Sequence, residues 1–136
     1  MGISVTSLAL MIAGFAIGKT TTTTTKNTEL IETGKQLFTS KACSACHQTD
    51  PKVPNPTGDA LKATKFIGKF WGVEREVHVG PNGPIKKVKM DNEYFMESVE
   101  NPMAKIVKGA IPAMAPLPTT LEERKALAAF VKSLSK

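Results

Sequence analysis

Cys43-Ser44-Ala45-Cys46-His47 is the stretch on which the reading of this chain turns. Two thiols separated by two residues stand at a spacing that lets each add to one of the two vinyl groups of a haem, and the adjacent histidine then falls beneath the iron as an axial ligand. Other uses of the same residues fit less well. A thioredoxin-like redox pair wants a strand before it and a helix after it, whereas a short helix, a loop and prolines surround this one. Structural zinc needs a full tetrahedral set, and beyond these three residues only His78 remains as a nitrogen donor. A plain disulfide would leave His47 unexplained. The expected cofactor is therefore one covalent haem c, with Cys43 and Cys46 as attachment points and His47 on the iron.

Just upstream of the motif, Leu30, Gly34, Leu37 and Phe38 recur at helical spacing, which predicts a helix over Glu29 to Ser40 with Thr28 as its N-cap. A capping box is not expected there, because Ile31 stands where Glu or Gln is needed. Downstream, Pro51, Pro54 and Pro56 predict that the chain leaves His47 as a loop around the cofactor. Val73, Val77 and Val79, then Gly80-Pro81-Asn82-Gly83-Pro84, then Ile85 and Val88 predict a small β-hairpin. Asp91 caps a further helix, with Tyr94, Phe95, Ser98 and Val99 on one face, that stops before Pro102. The clearest helix is the last, Thr120 to Leu134. It has Thr120 as N-cap, Glu122 and Glu123 in its first turn, and Leu127, Phe130, Val131 and Leu134 as an apolar stripe. That stripe is expected to pack on the first helix, with Gly34 letting the two backbones cross closely.

A second axial ligand must come from elsewhere in the chain. Met1 and Met11 lie in the apolar start, and Met90 and Met96 read as core filling. Met114 sits in Ile111-Pro112-Ala113-Met114-Ala115-Pro116-Leu117-Pro118, a stiff loop suited to presenting a thioether to haem iron, which raises the potential. Met114 is the expected ligand; Met103, His78 and an open sixth site are the alternatives.

The start of the chain has a different character. Residues 1–18 carry no charged side chain and would span roughly 27 Å as a helix, close to the hydrocarbon thickness of a bilayer. They read as a membrane anchor, or else as a signal peptide with Gly14-Phe15-Ala16 near the cut. Either reading predicts export, to the periplasm or the outer face of the cytoplasmic membrane. Residues 19–28, with threonine at every position from 20 to 25, read as a linker. Residues 29–136 are the expected monohaem domain: an all-α fold wrapped around one haem, with a short β-hairpin insertion.

Lys and Arg total 18 against 12 Asp and Glu. The excess is concentrated in Lys52, Lys62, Lys65, Lys69, Arg75, Lys86, Lys87 and Lys89, which face only Asp59, Glu74 and Glu76 in that stretch. A basic side of this kind predicts an acidic redox partner or anionic lipid. One Trp, one Tyr and no Arg-rich cluster predict no nucleic-acid partner.

Taken together, the attachment motif near the start, a Met in a Pro-rich loop and a closing amphipathic helix resemble class I cytochrome c over essentially all of Glu29 to Lys136. Trp71 to Val77, Asp91 to Ser98, Asn101 to Lys105 and Val107 to Gly109 are similar to the cytochrome c domain fused to subunit II of some bacterial cytochrome c oxidases. That resemblance implies His/Met ligation and an electron path toward a dinuclear copper centre, as in an oxidase copper-centre domain. This chain has no copper-ligand motif and is not itself a subunit II. Two departures stand out. Where the family has a Gly-Pro pair whose carbonyl takes the proximal histidine N–H, this chain has Thr64-Lys65; where it has Met-Pro, this chain has Met114-Ala115-Pro116. The expected function is single-electron transfer in a respiratory chain, not enzymatic turnover, with a terminal oxidase as acceptor. The alternative is a haem subunit held permanently in a membrane oxidoreductase complex.

Overall fold

The computed structural model describes residues 20–136 together with Gly2 and Gly14, so the apolar start read as an anchor or signal lies almost wholly outside the described residues. Among the described residues, no helix is long and apolar enough to cross a membrane.

The first helix, α1, runs Thr20–Ser40. It begins before the expected Glu29, so Thr28 is an interior residue and not the cap. The threonine stretch is helical and not an unstructured linker. Threonine has a modest helix propensity, but a hydroxyl can bond back to a carbonyl one turn earlier, as Thr28 Oγ1 does to Thr24 O at 3.0 Å. A turn of 3₁₀ helix, Cys43–Ala45, follows, entered through Ala42 in the left-handed region at φ 58°. Such a conformation costs a non-glycine residue about 1 kcal/mol, which marks the tightness of the turn carrying the motif.

The chain beyond His47 is not all loop. Helix α2, Pro56–Leu61, places Pro56 at its first position, where a missing N–H breaks no helical bond, and Asn55 caps it by accepting from Gly58 N at 2.8 Å. Strands β1 (Glu74–Val79) and β2 (Ile85–Lys89) form the expected hairpin, with Glu74 opposite Lys89 and Val77 opposite Lys86. A third strand, β3 (Lys105–Val107), pairs antiparallel with β1, giving the order β2-β1-β3. The all-α expectation is therefore corrected: the domain is mainly helical with a three-stranded antiparallel sheet. A three-residue strand shows no alternation in the sequence, and only its pairing with β1 reveals it.

Helix α3 (Asn92–Glu100) is capped by Asp91, which accepts from Tyr94 N at 2.9 Å. Helix α4 (Leu121–Leu134) has Thr120 as N-cap in a complete capping box with Glu123. The Thr120 backbone N–H donates to Glu123 at 2.8 Å and holds that carboxyl below its ordinary pKa.

The core joins these elements. Phe38 of α1, Val77 of β1, Phe95 and Val99 of α3, and Leu127 and Val131 of α4 are buried together with Phe66 and Phe70. Helices α1 and α4 form the main packed pair, and Gly34 stands at their crossing. A Cβ on Gly34 would lie 1.9 Å from the Ala126 carbonyl oxygen, so the two backbones touch where a side chain would keep them apart. This pair fixes the direction in which α1 delivers the Cys43–His47 turn.

Candidate haem site

The end of α1 and the 3₁₀ turn place Cys43, Cys46 and His47 along one wall of a cavity of about 300 Å³. Backbone bonds lock the turn: His47 N donates to Cys43 O at 2.9 Å, and Ala45 N to Ala42 O at 3.1 Å. Helix α2 buttresses it from outside. A Cβ on Gly58 would stand 2.0 Å from the Cys46 carbonyl oxygen, and Asn55 Nδ2 donates to Ser44 O at 3.0 Å. Asn55 thus caps α2 and grips the attachment turn with one amide, a role the sequence analysis missed; its Asn-Pro pair was the available signal.

His47 is held on two sides. Its Nδ1 lies 2.8 Å from the Thr64 carbonyl oxygen, and its ring stacks on Phe66 with centroids 5.1 Å apart and planes 21° from parallel. A carbonyl only accepts, so Nδ1 carries the proton and the Nε2 lone pair is left for a metal. Burial pushes the His47 pKa down, with the Thr64 carbonyl pulling partly the other way. A neutral imidazole with a fixed tautomer is the form that ligates iron. The carbonyl partner is therefore supplied by Thr64, at the place where the resemblance to cytochrome c pointed, although no Gly-Pro pair stands there.

The rest of the cavity wall is mostly apolar: Phe38, Leu61, Met90, Phe95, Val99, Val107 and Leu127 are among its residues. Met114 lines the same cavity from the loop 108–120, and so does Met103. The loop is tied down near both ends. Ile111 N donates to Leu61 O at 3.0 Å, and Lys41 Nζ donates to Pro118 O at 3.0 Å. Arg124 donates to Thr119 O at 2.8 Å while pairing with Glu100 at 3.2 Å. His78 is not in the cavity wall; its ring lies at the hairpin loop, with Nδ1 2.9 Å from Gly83 O. Met90 is buried in the core, as expected of a filling residue, but also reaches the cavity.

These residues suit a haem. The wall is apolar enough for a flat porphyrin, both thiols are free, and a neutral imidazole stands beside them. Burial pushes the Cys43 thiol up in pKa. Fold and site together define a helical domain whose cavity suits a covalently attached haem. The family of Cytochrome c matches residues 31–135, and this chain belongs to it. No curated protein matches the chain. Family membership makes the protein an electron carrier with covalent haem c, not an enzyme, and Cys43 and Cys46 stand in the attachment positions.

Proposed function

We propose that this protein passes single electrons within a respiratory chain, with His47 and Met114 as the two axial ligands of its haem and a terminal oxidase as acceptor. The observation that carries the ligand assignment is that the Cys43–His47 turn and the Met114 loop line one cavity. When bound, haem supplies an iron that changes by one electron between two stable states, and a thioether ligand favours the reduced one. The protein's part is to hold that iron rigidly. Thr64 and Phe66 fix the His47 ring, and the anchors at Ile111, Pro118 and Thr119 fix the loop of Met114. Met103, the other thioether of this cavity wall outside the core, precedes β3 and lies outside the proline-rich loop. In this reading residues 1–18 export the domain to the periplasm or the outer face of the cytoplasmic membrane and tether it there.

The ligand assignment is tested by optical spectroscopy. The native protein should show the weak long-wavelength band of Met–iron ligation in its oxidised form. Met114→Ala should abolish the band, lower the reduction potential and admit exogenous ligands such as carbon monoxide, while Met103→Ala should do none of these. The opposite pattern would move the ligand to Met103.

A further inference from the structure

Three cationic side chains line the haem cavity: Lys41, Arg75 and Lys105. Two of them already have carboxylates. Lys41 stands 3.6 Å from Glu123, and Lys105 pairs closely with Glu97. Arg75 alone makes no ion pair among the described residues, although the acidic Glu74 and Glu76 flank it in sequence. Strand geometry explains this. Neighbouring residues of β1 point to opposite faces, so Glu74 and Glu76 lie across the sheet from Arg75, opposite Lys89 and Lys87, and Glu76 pairs with Lys108 at 2.6 Å.

Arg75 nevertheless has two contacts. Its Nη1 donates to Thr64 Oγ1 at 3.0 Å, and its guanidinium carbon lies 5.9 Å from the centre of the Tyr94 ring. Thr64 is the residue whose carbonyl orients His47. One residue therefore joins the arginine, through its side chain, to the proximal histidine, through its backbone. A Gly-Pro pair would hold such a carbonyl by the stiffness of proline; Thr64 has no ring and gains its restraint from a side-chain bond instead.

We infer that Arg75 is a positioning residue of the haem site: through its side-chain bond to Thr64 it restrains the carbonyl that orients His47. A positive charge near the iron favours the reduced state, so Arg75 also holds the potential up.

The inference rests on His47 being an iron ligand, and the experiment separates the two. Arg75→Gln, Arg75→Lys, Thr64→Val and Thr64→Ser are made in the full haem-loaded chain, and each is read by reduction potential and by NMR exchange of the His47 Nδ1 proton. Arg75→Gln should shift the one-electron equilibrium toward the oxidised form by about tenfold, which is 59 mV lower in potential. Arg75→Lys should recover most of the potential, because it restores the charge. Exchange of the His47 proton should speed up in Arg75→Gln and in Thr64→Val, stay slow in Thr64→Ser, and be no faster when Arg75→Gln and Thr64→Val are combined than in Arg75→Gln alone. Thr64→Val keeps the shape of the side chain and gives a reading even where an arginine variant fails to load haem. An unchanged potential and unchanged exchange, with a native low-spin spectrum, would overturn the role of Arg75 while His47 ligation stands. A spectrum of the unsubstituted protein that lacks histidine ligation would overturn the ligand assignment, and with it the route through Thr64.

Discussion

At the scale of single residues, the site is a set of side chains each deprived of alternatives. His47 has one nitrogen bonded to Thr64 and its ring face against Phe66, so rotation of the imidazole would break both contacts. Cys43 and Cys46 are half-buried and free, in a turn closed by backbone bonds, which fixes the separation of the sulfurs before haem arrives. Covalent attachment through both thiols carries a direct consequence. On denaturing gels the native protein should keep haem-dependent peroxidase staining after acid-acetone extraction, and Cys46→Ala should weaken or abolish it. Extraction of all haem from the native protein would refute thioether attachment.

At the scale of elements, the α1–α4 crossing decides whether the attachment turn is delivered correctly. Gly34→Ala sets two effects against each other. Alanine is the better helix former of the two by about 1 kcal/mol. The added Cβ, however, would stand 1.9 Å from a backbone oxygen of Ala126 and 2.7 Å from the Phe130 Cβ, neither of which is the far end of a flexible side chain. Overpacking of this kind costs about 1–3 kcal/mol, and here the helices themselves must separate, so the steric term wins. Thermal unfolding of Gly34→Ala should show a clearly lowered Tm. An unchanged or raised Tm would mean that the helices do not cross so closely. The N-terminus of α4 is protected separately by the Thr120–Glu123 box, which also lies beside Lys41 and so links the cap of α4 to the end of α1.

At the scale of the whole molecule, charge and shape bear on how the protein meets a partner. The basic stretch from Lys52 to Lys89 is partly neutralised within the fold. Lys65 pairs with Asp59 at 2.7 Å, and Lys87 and Lys89 stand opposite Glu76 and Glu74. Lys62 is different: it is exposed, lacks an ion pair among the described residues, and sits between Leu61 and Ala63, both of which line the haem cavity. Beside that rim Ile111 is 52% exposed, an apolar surface next to the loop of Met114. A basic residue at an apolar rim suits brief encounters with an acidic redox partner, where attraction raises the rate of approach more than the strength of the complex. Electron transfer from a soluble form starting at Lys26 to an acidic copper-centre domain should therefore slow steeply between low and physiological ionic strength. Lys62→Glu should flatten that dependence, whereas Lys132→Glu, in the last turn of α4, should leave it nearly unchanged. Rates independent of salt would favour a haem domain fixed in a larger complex.

The sequence by itself determined the cofactor, its attachment residues and most of the helical frame, because each rests on local chemistry. The spacing of Cys43, Cys46 and His47 is a covalent requirement; the stripe of Leu127, Phe130, Val131 and Leu134 follows from helical period; and Gly34 was legible as a crossing point because only a missing side chain permits one. The hairpin was legible too, from Gly80 to Pro84 between two runs of apolar alternation. Tertiary structure alone decided what depends on residues distant in sequence. The strand Lys105–Val107 exists only through its pairing with β1. The helical start of α1 runs against threonine propensity, and α2 follows from Pro56 taking a first helical position rather than a loop. The bond from His47 to Thr64, and from Thr64 to Arg75, joins three segments whose meeting no local pattern encodes. Local rules govern which residues can do the chemistry, while packing of the separated segments decides which of them are brought within reach of one another.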